Sequence, residues 1–434
     1  MKTEQLYEIY LQHPVITTDS RECPAGAVFF ALRGASFNGN LYAAAALEKG
    51  CAYAVVEKEF APEGDERYIA VENPEQTLQD LAAYHRQQLN IPVLQITGTN
   101  GKTTTKELIA AVLSERFNVL YTQGNLNNHL GVPRTLLRIN REHDIAVIET
   151  GANHPGEIAF LCRMVKADYG LITNVGRAHL EGFGSLQGVK DAKGELYDDL
   201  HRRGATIFIN AFDEDLLQMA QERGFSLSDN AIPYVEGRVK DCNPFVKMQW
   251  KSKPDEPWKT IQTHLVGAYN IANIRAAVTV GLHFGITPEQ ICHAIENYVP
   301  SNNRSEYLDT GRNHLVVDAY NANPTSMAAA LTNFQFIEEP HKMAILGDMY
   351  ELGAESETEH RKILEMLAGM QLEEVWLVGK NFASLDCPVQ NLNVRHFTDV
   401  DAVKTAIRQQ PITGKTILIK GSNSTRLFLL PEVL

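Results

Sequence analysis

Apolar residues along this chain fall into short unbroken runs, set apart by longer stretches in which apolar and polar positions mix. The runs at 27–32 (AVFFAL), 52–56 (AYAVV), 93–97 (VLQIT), 145–149 (IAVIE), 170–173 (GLIT) and 206–210 (TIFIN) have the length and content of strands. Later runs of the same kind lie at 315–317, 343–346, 375–378 and 416–419. They do not alternate apolar with polar, which predicts strands covered on both faces, as in a parallel sheet. Helical patterns lie between them, at 41–49, 75–89 and 103–116, and Pro74 stands at the favoured first-turn position of the second. Strand and helix in alternation predict an α/β protein with helices on both sheet faces.

A chain of 434 residues is too long for one ordinary core. The pattern divides it into a small α/β N-terminal unit at 1–89, a central unit at 90–300 with a mostly parallel, P-loop-type sheet, and an open, Rossmann-like α/β unit at 301–434. Residues 231–265 read differently: Met248, Trp250 and Trp258 stand among Lys, Pro and Asp, as in a hairpin insertion with a structural role. No internal repeat or low-complexity tract is visible.

Composition narrows the function. Hydrophobic residues at 44% and charged residues at 21% fit a soluble globular protein, and a net charge of -13 argues against generic nucleic-acid binding. An anionic ligand must therefore be held by local positive groups. Cys23, Cys51, Cys162, Cys242, Cys292 and Cys387 are scattered without a CxxC pair, so neither a disulfide framework nor a thiolate zinc site is expected. The N-terminal MKTEQLYEIYLQHP lacks the apolar core of a signal peptide, and no stretch has the length of a membrane span. A cytoplasmic location is the expectation.

The chemistry concentrates at the predicted strand ends. TGTNGKTTT follows the run at 93–97 and precedes a helical pattern. Gly98 and Gly101 permit a tight turn through Thr99 and Asn100 that aims backbone N–H groups, with those of the following Lys102, Thr103 and Thr104, at phosphate oxygens. Lys102 supplies a point charge for β- and γ-phosphates, and the Thr103 hydroxyl can reach Mg²⁺. Ile96 stands where a longer form of this motif has another glycine, so the match is to the shorter Gly-x-x-Gly-Lys-[Ser/Thr] form. Glu149 ends an apolar run, where a carboxylate is costly unless it is paired or metal-bound. His179, in the glycine-rich TNVGRAHLEGFGS, fits a structural histidine and a ligand equally well. Lys193, in KDAKGELY, reads by spacing alone as a solvated helical lysine.

Taken together these runs resemble the Mur ligases, ATP-dependent amide ligases of bacterial cell-wall precursor synthesis. The resemblance spans nearly the whole chain: TDSRECPAGAVFFALRG (18–34), TGTNGKTTTKE (97–107), NLNNHLGVPRTLL (125–137), IETGANHPGEI (148–158), NVGRAHLEGFGSLQGVKDAKGE (174–195), YNIANIRAA (269–277), DAYNANPTSM (318–327), LGDMYELG (346–353) and KGSNS (420–424). It implies three domains that bind, in chain order, a UDP-sugar, ATP and the amine component. Within the family, DAYNANPTSM with LGDMYELG, and ETGANHPGEI with HLEGFGS, imply the step joining D-alanyl-D-alanine to UDP-N-acetylmuramoyl-tripeptide. It further implies that Lys102 and Thr103 hold ATP phosphates and Mg²⁺, that Thr103, Glu149, His179 and Lys193 serve two Mg²⁺ ions, and that Lys193 carries a CO₂-derived carbamate. Asn270 and Asn273 would meet adenine, Arg304 the nucleotide and Asp318 the ribose. Asn127, Asn321 and Asn323 would face substrate, and Ser20 and Arg21 the UDP moiety. A monomer is expected.

Two positions depart from the family pattern: Asn40 stands where histidine is common, and Asn423 where arginine is expected. A ligase adding a single amino acid, folylpolyglutamate synthetase, a regulatory P-loop NTPase and a nucleotide-binding scaffold without turnover are the competing readings, the last disfavoured by the full ligand set. The DNPR-type loop of the ligase adding the third peptide residue is absent from the sequence.

Overall fold

A computed structural model of the protein describes residues 1–385 and 393–434; Cys387 lies outside the described residues. Three α/β units follow one another along the chain, each built around a sheet. The first sheet is parallel, in the order Ile16–Thr17, Val28–Phe30, Tyr53–Glu57, Tyr68–Val71. Helix Pro74–Gln87 packs near it. The Asn73 side chain accepts from the N–H groups of Glu75 and Gln76, and Pro74 occupies the first turn, where its missing N–H costs nothing.

The central sheet is six-stranded and parallel throughout, in the order Ala231–Pro233, Thr206–Ile209, Tyr169–Ile172, Val93–Thr97, Ile145–Glu149, Val119–Tyr121. Its three middle strands are buried almost throughout, which is why they read as apolar runs. Because they are parallel neighbours, their carboxyl ends gather Gly98, Glu149 and Thr173 on one edge, where open α/β sheets bind ligands.

Residues 231–265 contain the short edge strand Ala231–Pro233 and most of an antiparallel sheet of Glu236–Cys242, Phe245–Lys251 and Lys259–Val266. Val246, Met248 and Trp250 point inward at alternate positions and join the core that covers one face of the central sheet. The insertion is a structural cover, as its composition suggested.

The third sheet is also six-stranded: Glu306–Asp309, His314–Asp318, Thr416–Lys420, Lys342–Gly347, Glu374–Val378, Asn393–Phe397. Only Glu306–Asp309 runs antiparallel, at an edge. Among the described residues no helix is long and apolar enough to cross a membrane.

Candidate active site

The glycine loop joins strand Val93–Thr97 to helix Lys102–Ser114. Gly98 and Gly101 have φ of 141° and 76°, in the region that favours glycine. Space also demands them. A Cβ on Gly98 would lie 2.0 Å from Thr173 Oγ1, and one on Gly101 would lie 2.7 Å from Asn273 Oδ1. The loop is thus pressed between the next strand end and helix Ile271–His283. Thr173 Oγ1 donates to Asn100 O at 2.7 Å, and Asn174 Oδ1 accepts from Asn100 N at 3.0 Å.

Glu149, at the adjoining strand end, is 1% exposed. Its Oε1 accepts from Thr103 Oγ1 at 3.2 Å and from Asn127 Nδ2 at 2.8 Å. Its Oε2 is buried without a hydrogen-bond partner among the described residues. A hydroxyl and a carboxylate side by side are hard oxygen donors that fit Mg²⁺, and the unpartnered oxygen is where a cation would gain most. Among the described residues no cluster of three or more His, Cys, Asp or Glu could cage a metal alone. Such an ion would need phosphate or water oxygens as well, as is usual for Mg²⁺ with nucleotides.

A cavity of about 1060 Å³ opens between this edge and the third unit. Gly101, Lys102, Glu149, His179, Arg304 and Asn323 are among the residues that line it. Lys102 Nζ donates to Gly98 O at 2.7 Å and to Thr99 O at 3.0 Å. Burial pulls its pKa down to about 8; the charge of Arg304 adds to the effect and Glu149 opposes it. The Arg304 guanidinium stacks 3.7 Å from the Tyr320 ring centroid, and its Nε is buried without a partner among the described residues. Asn100 and Asn323 pair their side-chain amides across the two units, with Asn323 Nδ2 donating to Asn100 Oδ1 at 2.8 Å.

The sequence matches three family models in register with these units. They are described as "Mur ligase family, catalytic domain" over residues 14–86, "Mur ligase middle domain" over 96–281 and "Mur ligase, glutamate ligase domain" over 303–423. A relative from Escherichia coli (strain K12), named UDP-N-acetylmuramoyl-tripeptide--D-alanyl-D-alanine ligase, is 35% identical over 95% of this chain and 91% of its own. The chain belongs to the Mur ligase family.

A Bacillus subtilis (strain 168) ligase of the same name is 33% identical over 97% of this chain and 93% of its own. The crystal structure of MurF from Acinetobacter baumannii superposes with a TM-score of 0.83 at 30% identity, covering 96% of this chain and 92% of that one. This Mur ligase therefore has the family's three-domain fold, as the resemblance implied.

The residues singled out by sequence fare differently. Lys193 overturns its reading by spacing: it is 2% exposed, not solvated. Its helix, Leu186–Arg202, turns that side chain under Phe183, whose ring centroid lies 5.3 Å from Nζ, and Ala152 O accepts from Nζ at 3.3 Å. Burial, then the charge of Lys102, pulls its pKa down to about 7, with Glu157 and Glu195 opposing. His179 is half-buried and lines the cavity; burial lowers its pKa, Lys102 and Lys193 add to this, and Glu351 opposes. Lys102, Glu149 and His179 line one cavity, and the charge of Lys102 bears on both His179 and Lys193.

Asn270 and Asn273 line the cavity but spend polar atoms on the fold. Asn270 Nδ2 donates to Val266 O at 2.9 Å, and Asn273 links Asn270 Oδ1 at 2.8 Å to Thr105 Oγ1 at 3.0 Å. Asp318 Oδ2 accepts from the buried Lys420 Nζ at 2.6 Å. Asn321 lines the cavity, while its Oδ1 accepts from Ala322 N at 2.9 Å. Ser20 and Arg21 are not among the cavity residues. Arg21 is exposed and pairs with Asp19. Asn40 is buried, and its Oδ1 accepts from Glu57 N at 2.9 Å, a structural use. Asn423 donates to Tyr320 O at 3.1 Å.

Sequence reasoning missed Lys106, Arg177 and Glu351. Lys106 could have been found, because a second lysine four residues after Lys102 lies one helical turn further along. Nothing in the spacing signals that Arg177 Nη1 meets Glu359 Oε1 at 3.3 Å between the second and third units, or that Glu351 meets His179.

Proposed function

We propose that this protein joins D-alanyl-D-alanine to UDP-N-acetylmuramoyl-tripeptide at the expense of ATP. The observation that carries this reading is the cavity itself. Glycine loop, buried carboxylate and several cationic side chains converge at its floor, and the third domain forms its other wall. The names of the relatives supply the substrates.

In the proposed reaction the tripeptide's terminal carboxylate attacks the γ-phosphorus. The bond to the β-γ bridging oxygen breaks, leaving ADP and an acyl phosphate. The dipeptide amine then attacks the acyl carbon, phosphate leaves, and the amine gives up a proton. Carboxylate and triphosphate repel one another, so their approach needs neutralising charge. Lys102 and Arg304 supply part of it from this chain. Both are only partly exposed on the cavity wall, so their attraction to phosphate is screened less than at an open surface. The glycine-loop amides at the start of helix Lys102–Ser114 add donors aimed at phosphate.

Two Mg²⁺ ions held by Thr103, Glu149, His179 and a carbamylated Lys193 would supply the remaining neutralisation. The surroundings of Lys193 support its modification. A buried ammonium facing Lys102 is poorly placed, whereas the amine plus CO₂ gives a carbamate and a proton, turning a repelling cation into an oxygen donor.

Domain limits of 1–89, 90–300 and 301–434 suit this division of labour. The first would hold the UDP moiety through the loop of Ser20 and Arg21, the second ATP with Asn270, Asn273 and Asp318 about the nucleoside, and the third the dipeptide near Asn321 and Asn323. A monomer working in the cytoplasm completes this reading. Closure of the third domain would keep water from the acyl phosphate.

The test is phosphate release by the purified protein with ATP and UDP-N-acetylmuramoyl-tripeptide, with and without D-alanyl-D-alanine. Release that depends on the dipeptide is expected. Release indifferent to it would instead mark a nucleotide hydrolase.

A further inference from the structure

We propose that Glu351 is a positioning residue for His179, through which docking of the third domain fixes the imidazole for metal binding. This rests on the metal role given to His179 above.

His179 stands at the start of the short helix Leu180–Phe183 in the central domain; Glu351 lies in the third, after strand Lys342–Gly347. The Glu351 carboxylate accepts a hydrogen bond from His179 Nδ1. The backbones meet as well, with Glu181 N donating to Glu351 O at 3.2 Å. Both residues are in the left-handed region, His179 at φ 51° and Glu351 at φ 60°. For residues with a Cβ that conformation is disfavoured, and it persists where surrounding structure over-determines it. Two such residues meeting at one interdomain contact make a built junction rather than a chance surface pair. Gly353, at φ 54°, gives the third-domain turn a conformation that favours glycine, and a Cβ there would meet Glu181 Cα in ordinary contact at 3.5 Å.

The contact has a chemical consequence. A carboxylate on Nδ1 holds the proton there, which leaves the Nε2 lone pair free. That is the arrangement by which a carboxylate orients a metal-binding histidine. Phe183, edge-on to the imidazole with centroids 6.4 Å apart, bounds the ring on another side. Neither His179 nor Glu351 is fully buried, with side-chain exposures of 31% and 52%, so the pair acts by orientation more than by charge. Because the carboxylate belongs to the third domain, the histidine is set only when that domain is docked.

The experiment is Mn²⁺ titration of the full chain with a non-hydrolysable ATP analogue, with free Mn²⁺ followed by electron paramagnetic resonance. Glu351→Ala should weaken Mn²⁺ binding about tenfold, the scale set by such orienting carboxylates. Glu351→Gln, whose amide oxygen can still accept from Nδ1, should keep most of the affinity. In a His179→Ala background, Glu351→Ala should change nothing further. Unchanged affinity in Glu351→Ala, or an equal loss in both backgrounds, overturns the proposal; equal losses would make Glu351 a domain latch only. ¹⁵N spectra of the unsubstituted protein give a second reading that needs no variant to fold. There the Nδ1-protonated tautomer of His179 is expected, and the Nε2-protonated one overturns the idea. Failure of dipeptide-dependent phosphate release would not affect these binding measurements, so the two proposals fail separately.

Discussion

Lys106 Nζ lies 3.8 Å from Glu149 Oε2, and the two side chains are 0% and 1% exposed. Neither atom has a hydrogen-bond partner among the described residues. Glu107 Oε1, at 3.7 Å, is the other carboxylate near the ammonium, and the Tyr121 ring lies 5.7 Å from it. Two charges buried this deeply, paired but not hydrogen-bonded, are a poor device for stability alone. They make sense if the Lys106 ammonium sits beside the free oxygen of Glu149 where a divalent cation competes with it.

Glu149→Gln should therefore do two things. It should cut dipeptide-dependent phosphate release at least about a hundredfold, since a cation-holding oxygen is lost. It should also destabilise the fold by about 3 kcal/mol by leaving the Lys106 ammonium buried without Glu149. Adding Lys106→Met should recover at least about 1 kcal/mol of that loss without restoring turnover. Urea unfolding of the single and double variants checks the coupling; strictly additive losses would refute it.

Lys193→Ala should lose most activity and regain part of it with a small carboxylate such as formate, which could occupy the place of the proposed carbamate. Lys193→Arg should not be rescued, because guanidinium forms no carbamate and fills the space. The measurement is phosphate release with and without added carboxylate. Full activity of the unrescued alanine variant would remove the carbamate from the mechanism.

The sheet cores were legible because parallel strands covered on both faces are written as apolar runs: Val93–Thr97 and Ile145–Glu149 match their predicted limits. Strands Ile16–Thr17, Tyr68–Val71 and Val119–Tyr121 were missed, being short and partly exposed. The loop and Glu149 were legible for a related reason, since a glycine turn and a carboxylate are conspicuous at the ends of apolar runs. Lys193 was not, because periodicity says which helix face a residue is on but not what will cover that face. The contacts of His179 with Glu351 and Asn100 with Asn323 were hidden more deeply. Each joins residues more than 170 positions apart, and local pattern carries no trace of how domains dock.

Asn323 has two separable tasks. Its Oδ1 caps helix Pro324–Phe336 by accepting from Ser326 N at 2.9 Å, while its Nδ2 donates to Asn100. Asn323→Asp keeps the cap and loses the donor; Asn323→Ala loses both. Thermal unfolding should show the alanine variant weaker by about 1 kcal/mol and the aspartate variant near the parent. Small-angle scattering and phosphate release should show both variants looser and slower, because both lose the 2.8 Å donor to Asn100, and aspartate keeps at most the 3.5 Å contact from Asn100 Nδ2. An aspartate variant as active and as compact as the parent would assign Asn323 to capping alone.

Stability should fall as pH drops from 7 towards 5, and His360 is a main reason. The ring is fully buried in the third domain, with Met349 N donating to its Nε2 at 3.0 Å and its Nδ1 donating to Ser356 O at 2.7 Å. Burial lowers its pKa below the ordinary 6.5, although the Ser356 carbonyl, Asp348 and Glu359 pull the other way. Below about pH 6.5 the unfolded chain takes up a proton that the folded chain resists, so unfolding is favoured progressively down to the folded pKa. Above that window the group is neutral in both states and contributes no slope. Protonation would also place a hydrogen on Nε2, against the Met349 N–H. His85 and His283 are lowered by burial too, so the slopes add. His360→Gln should be less stable at pH 7.5, through imperfect replacement of two buried hydrogen bonds, yet show a shallower dependence from pH 7 to 5. Urea unfolding across that range measures both quantities, and an equal slope in parent and variant would show that His360 is not one of the titrating groups.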